Sequence, residues 1–154
     1  MNVYKDSYII LEIIPTSPSS EKGFVAQLSA LKIDGLKLVD RFDYRVEDHL
    51  IENDDLKRMI QYDKRNFTYV NNIYFIMEKF KQWAKDLPFL IIEGDYTLNY
   101  LKEFDNKKEL VYQFFDIDNG PDAFVNMIEK YRLIPSDHIV DLVYEALMFS
   151  KKEK

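Results

Sequence analysis

FVAQLSALKIDGLKLVDRFDYRV, running from Phe24 to Val46, decides how this chain folds. Two runs rich in β-branched, aromatic and other apolar residues flank Asp34-Gly35, a dipeptide that favours a tight hairpin turn. Phe24 to Ile33 and Leu36 to Val46 are therefore expected to pair as antiparallel strands. Upstream, Tyr8 to Ile14 (YIILEII) is a near-continuous apolar run, the pattern of a strand covered on both faces. Pro15, Pro18 and the nearby Ser17, Ser19 and Ser20 then break it into a loop. The opening of the chain reads as an antiparallel meander of three strands.

Downstream the hydrophobic period changes. Glu47 to Phe67 is highly charged and predicts a short helix around Asp54 to Gln61. Ile73, Ile76, Met77, Phe80, Trp83, Ala84 and Leu87 recur at helical spacing, with Asn71 or Asn72 placed to cap the start. Pro88 stops that helix, and Phe89 to Ile92 (FLII) follows as a short buried strand. A crossover helix that feeds a new strand is the usual connection between parallel neighbours. A helix from Thr97 to Phe104, a fifth strand from Leu110 to Phe115 and a helix from Ala123 to Tyr131 are expected next. After Pro135-Ser136-Asp137, a last helix carries Ile139, Leu142, Val143, Ala146 and Leu147 on one face. Residues 1–150 read as a single domain, and 151–154 as a frayed tail. The fold class is α/β, with a mixed five-stranded sheet flanked by helices.

With 154 residues, of which 47% are hydrophobic and 15% aromatic, the chain suits one folded domain with a real core. It has no cysteine, so disulfides, thiolate zinc sites and thiol nucleophiles are excluded, and a reducing cytoplasm is the expected compartment. Met1 to Ser7 lacks a basic region, so no signal peptide is expected, and no segment approaches the length of a membrane span. A net charge of -6 argues against tight, sequence-independent binding of nucleic acid. One local basic group, Lys57, Arg58, Lys64 and Arg65, is interleaved with Asp54, Asp55 and Asp63. It reads as a solvated face, with contact to phosphates as the alternative. The four glycines form no phosphate-cradling loop.

Taken in order, several stretches resemble the DEDDh group of 3′–5′ proofreading-type exonucleases, within the ribonuclease H-like superfamily. YIILEIIPTS resembles the group's first strand, apolar residues followed by D-x-E-T-T-G. FVAQLSALKIDGLKLVDRFDYRV resembles its next hairpin, and FIMEKFKQWAKDLPFLIIEGDYTLNYL its crossover helix, strand and H-N-x-x-F-D segment. FFDIDN resembles the following strand, and SDHIVDLVYEALMF the helix that carries H-x-x-x-x-D. The resemblance implies a ribonuclease H-like fold and chemistry on two divalent cations held by carboxylates roughly 4 Å apart.

Position by position, that chemistry is missing its donors. The first acid falls on Glu12, a carboxylate still but one methylene longer, and the second falls on Ile14. The third falls on Leu98, or on Asn99 with the register shifted by one, and the fourth on Val143. The general base matches His138. Apolar side chains supply no metal donors, so the expected function is a catalytically inactive exonuclease-like domain acting as a binding or interaction module. Its partner is expected to be a protein, with a link to DNA or RNA metabolism implied by the resemblance alone. No cofactor is expected.

Two alternatives follow from the same residues. In one, displaced ligands rebuild a site for Mg²⁺ or Mn²⁺ and the domain is an active exonuclease. Glu93, Asp95, Asp116, Asp118 and Asp141 are the candidates, foremost Asp95, beside the third motif position, and Asp141, three residues from His138, with Glu12 as the relic ligand and His138 as the relic base. In the other, the groove survives as a weak binder of single-stranded nucleic acid, with Tyr96 and Tyr100 stacking on bases. Each residue also has a plainer reading. Glu12 in an apolar strand needs a structural partner, His138 sits where helices are capped, and most tyrosines are core material.

Overall fold

Side-chain alternation along β1 (Ser7–Pro15) feeds two cores at once. Ile9, Leu11 and Ile13 enter one core, while Tyr8 and Ile10 enter another on the opposite face. β1 pairs antiparallel with β2 (Val25–Asp34), which pairs antiparallel with β3 (Lys37–Val46), so the expected meander is present. The computed structural model describes residues 2–16, 24–61, 66–90, 100–101, 123–133 and 139–152. It is α/β, with a mixed five-stranded sheet in the order β4-β3-β2-β1-β5 and helices on both faces.

The hairpin turn differs by one residue from the sequence expectation. Asp34 pairs with Lys37, leaving Gly35 and Leu36 as the two loop residues, both at positive φ (58° and 68°). That geometry suits Gly35, whereas Leu36 adopts it at a cost. Burial of the Leu36 side chain in the second core offsets that cost. Farther along, the register shifts: Ile33 faces Leu38 but Lys32 faces Asp40, so Val39 is an extra residue in β3. The extra residue turns Phe42 into the first core and sends Arg41, Asp43 and Arg45 to the opposite face.

The charged stretch after β3 contains a turn of 3₁₀ helix at Asp48–Leu50 and the expected short helix, α1 (Asp54–Gln61). Asn53 caps α1, its side-chain carbonyl accepting from the amides of Asp55 and Leu56. A strand that sequence periodicity missed, β4 (Thr68–Val70), pairs parallel with the end of β3. Its three residues are too few to show a period.

The long amphipathic helix is α2 (Phe75–Ala84), which buries Ile76, Phe80 and Ala84 against the first core. Asn72 organises its approach, accepting the Tyr74 amide in a turn rather than capping the helix directly. Phe80 meets Phe42 edge-on at 5.5 Å between ring centroids and Phe89 at 5.7 Å. The helix leads into β5 (Phe89–Leu90), which pairs parallel with β1 as the crossover pattern predicted.

The opposite face is covered by α3 (Ala123–Tyr131) and α4 (Ile139–Lys152), packed through Met127, Tyr131, Val140, Val143 and Leu147. Residues 151 and 152, expected to fray, continue α4. Tyr144 donates a 2.8 Å hydrogen bond to the Leu36 carbonyl, and Tyr4 shares one with Ser150, so both halves of α4 are tied to the sheet side. Tyr8 donates to the Val3 carbonyl at 2.7 Å, and burial pushes its phenol to a higher pKa. Tyr100 and Leu101 are helical and buried in the first core. The expected strand Leu110 to Phe115 lies outside the described residues.

Candidate functional site

The face of the sheet beneath α4 is divided. Its hairpin half is apolar, built from Tyr8, Ile10, Leu31 and Ile33. Its other half is polar, because Glu12 faces Ser29, Ser29 faces Asp43, and Gln27 faces Arg45 across the strands. Alternation forces these residues to one side, since Leu11, Leu28, Phe42 and Tyr44 between them turn to the first core. The polar half lies at the carboxyl end of β1, which is where open α/β sheets place their ligands.

Within this band the charges are organised by two arginines. Arg41 grips Asp141 of α4 with both terminal nitrogens, at 2.8 and 3.3 Å, and donates from Nε to Asp43 at 3.2 Å. The Asp141 carboxylate, with Asp43 beside it, holds the Arg41 guanidinium above its ordinary pKa, against a smaller desolvation effect. Arg45 is buried, donates to the Gln27 side-chain carbonyl at 2.8 Å, and lies 4.2 Å from the Phe67 ring centroid. Glu12 is 9% exposed and Ser29 fully buried. The Ser29 hydroxyl has no hydrogen-bond partner among the described residues.

These positions decide how the sequence candidates relate. Glu12 is in the polar band. Asp141 is at its rim, engaged by Arg41 over β3. Val143, where the resemblance places the last acid, is 1% exposed in the second core, and Ile14 packs against the first. Lys57 and Arg58 are on α1, whose Leu56 and Ile60 enter the first core, so they lie on the opposite side of the sheet from Glu12. Arg58 also pairs with Asp55 on its own helix. Tyr100 is 4% exposed in that first core. Lys64, Arg65, Glu93, Asp95, Tyr96, Leu98, Asn99, Asp116, Asp118 and His138 lie outside the described residues.

Among the described residues, the donor chemistry does not fit a pair of divalent cations. Among the described residues, Glu12 is the only carried-over acid position that still holds a carboxylate, and no group of three or more His, Cys, Asp or Glu could hold a metal ion. What the band offers is a mixture of carboxylates, guanidinium groups, an amide and a hydroxyl, tied at its rim to α4 through Arg41 and Asp141. Sequence reasoning singled out Glu12 and Asp141 but missed Gln27, Ser29, Arg41, Asp43 and Arg45. Their signal was available as Gln27-x-Ser29 and Arg41-x-Asp43-x-Arg45, polar residues at every second position of apolar strands.

The chain matches no protein-family model. A search of curated proteins finds no match either. Among the described residues, no helix is long and apolar enough to cross a membrane.

Proposed function

We propose that this chain is a ribonuclease H-like domain of exonuclease ancestry that has lost two-metal hydrolysis and works as a binding module for a protein partner. One observation carries the reading: Val143, where the resemblance places the final acid, is packed into the core beneath α4, with no oxygen donor at that position. The order of elements supports it as well. A three-stranded meander, a crossover helix, a strand returning parallel beside β1 and a closing helix over the sheet all follow the sequence pattern that suggested the family. The acidic net charge favours a protein partner over a phosphate backbone, and the basic pair Lys57 and Arg58 shares no face with Glu12. No cofactor takes part in this reading.

The test uses a 5′-labelled single-stranded oligonucleotide with the whole chain, in magnesium and separately in manganese. The expected result is an intact oligonucleotide after prolonged incubation at enzyme excess, and no retention of it at low salt. Stepwise 3′ shortening that depends on the metal would sink the proposal in favour of an active exonuclease with displaced ligands. Retention without shortening would replace the protein partner with single-stranded nucleic acid.

A further inference from the structure

Asp43 and Asp141 bring two carboxylates to one rim of the polar band, from a strand and from a helix far apart in sequence. Such a pair needs a cation. Here the chain supplies it: the Arg41 fork takes Asp141 with both terminal nitrogens while its Nε reaches Asp43. The bulge at Val39 is what makes this possible, since it sets Arg41 on the α4 face. Asp141 stands in the first turn of α4, so the same contact fixes where the helix begins over β3. We infer that Arg41 is a built-in counter-cation that pins the start of α4 to β3 and commits Asp43 and Asp141 to a protein charge, leaving neither for a divalent ion. Arg41 is thus a positioning residue, and a carboxylate that sequence suggested as a displaced metal ligand is part of an internal clamp.

The inference goes beyond the proposed loss of hydrolysis and does not depend on it. Melting curves of the full chain after EDTA treatment, with and without millimolar manganese chloride, test it on wild type, R41Q, R41K, D141N and the double variant R41Q/D141N. R41Q is expected to melt about 2 to 4 °C below wild type. Manganese should then raise its Tm by more than it raises that of wild type, by about 3 to 6 °C at tenfold excess over Kd. That increment should vanish in R41Q/D141N and be absent in R41K, which keeps the charge but loses the fork. Should R41Q not fold without metal, its refolding yield with manganese is the readout, and recovery supports the clamp. R41Q melting like wild type, R41Q gaining no manganese response, or a wild-type response abolished by D141N would each overturn it. A wild-type response that D141N leaves intact counts against the proposed function instead, and the R41Q increment still decides the clamp.

Discussion

Ser29 shows what one hydroxyl can cost. It lies in the centre of the sheet between Glu12 and Asp43, fully buried and without a hydrogen-bond partner for Oγ among the described residues. A buried polar group left unsatisfied costs about 1–3 kcal/mol of desolvation. Ser29→Ala removes the hydroxyl and leaves a cavity smaller than a methyl group, so it is expected to stabilise the domain by about 1 kcal/mol. Thermal denaturation checks this, as a Tm rise of about 2–4 °C for a chain of this size. Asp40 illustrates the opposite case, a carboxylate whose charged form is favoured. The Trp83 indole N–H donates to it at 2.9 Å, and this bond, aided by the Arg41 amide and by Lys32, holds its pKa below the ordinary value despite some desolvation. Because the folded-state pKa is depressed, the contribution is present above the unfolded pKa and is lost as pH falls through the folded one. Denaturant titrations across the acid range should show this loss in wild type, and Asp40→Asn, which lacks the contribution, should be slightly less stable than wild type at neutral pH and converge with it in acid. The site is solvent-exposed, so the effect is small.

At the scale of elements, α3 ends in a motif whose preferred residue is absent. The Leu133 amide donates to the Ile128 carbonyl and the Arg132 amide to the Glu129 carbonyl, with Arg132 at φ 54° and Leu133 buried. This is the Schellman arrangement, in which the left-handed position is usually glycine. Arg132→Gly is expected to stabilise the domain by about 0.5–1 kcal/mol by relieving that conformation, measured as a shift in the urea midpoint without change of slope. The same left-handed demand explains why the β2–β3 turn was misplaced by one residue in the sequence reading. Asp34-Gly35 is the better local turn, yet Gly35-Leu36 wins because it buries Leu36 beneath Tyr144 and its neighbours. Strands with strong alternation or dense apolar character (β1, β2 and β3) and the seven-residue stripe of α2 were legible. β4 was not, since its three residues gain their strand character from pairing with Tyr44–Val46, a contact made only in the fold. The bulge was equally hidden, because an extra residue leaves no mark on composition. For the site, Glu12 was legible as a lone charge in an apolar strand. The polar band around it was not, because strand register decides which polar residues meet.

The whole molecule is a sheet with a core on each face, and its two faces have different tasks. The first face is closed by α1 and α2, with Phe42, Phe80 and Trp83 in mutual ring contact and Phe89 against Phe80. Among the described residues, the second is closed by α3 and α4 over its apolar half, and Arg41 ties the rim of its polar half to Asp141 of α4. Apolar packing and polar contacts are thereby separated along a single strand: Tyr8 and Ile10 of β1 enter the core, and Glu12 two residues later enters the polar band. Val143 of α4 is part of the second core. β4 covers β3 only from Tyr44 to Val46, so the outer rim from Lys37 to Asp43 has no neighbouring strand among the described residues. That rim carries Lys37, Asp40, Arg41 and Asp43 around the Val39 bulge. A kinked, charge-studded border is a poor template for stacking copies into fibrils, so the irregularity that orients Arg41 also safeguards the protein's colloidal behaviour at high concentration.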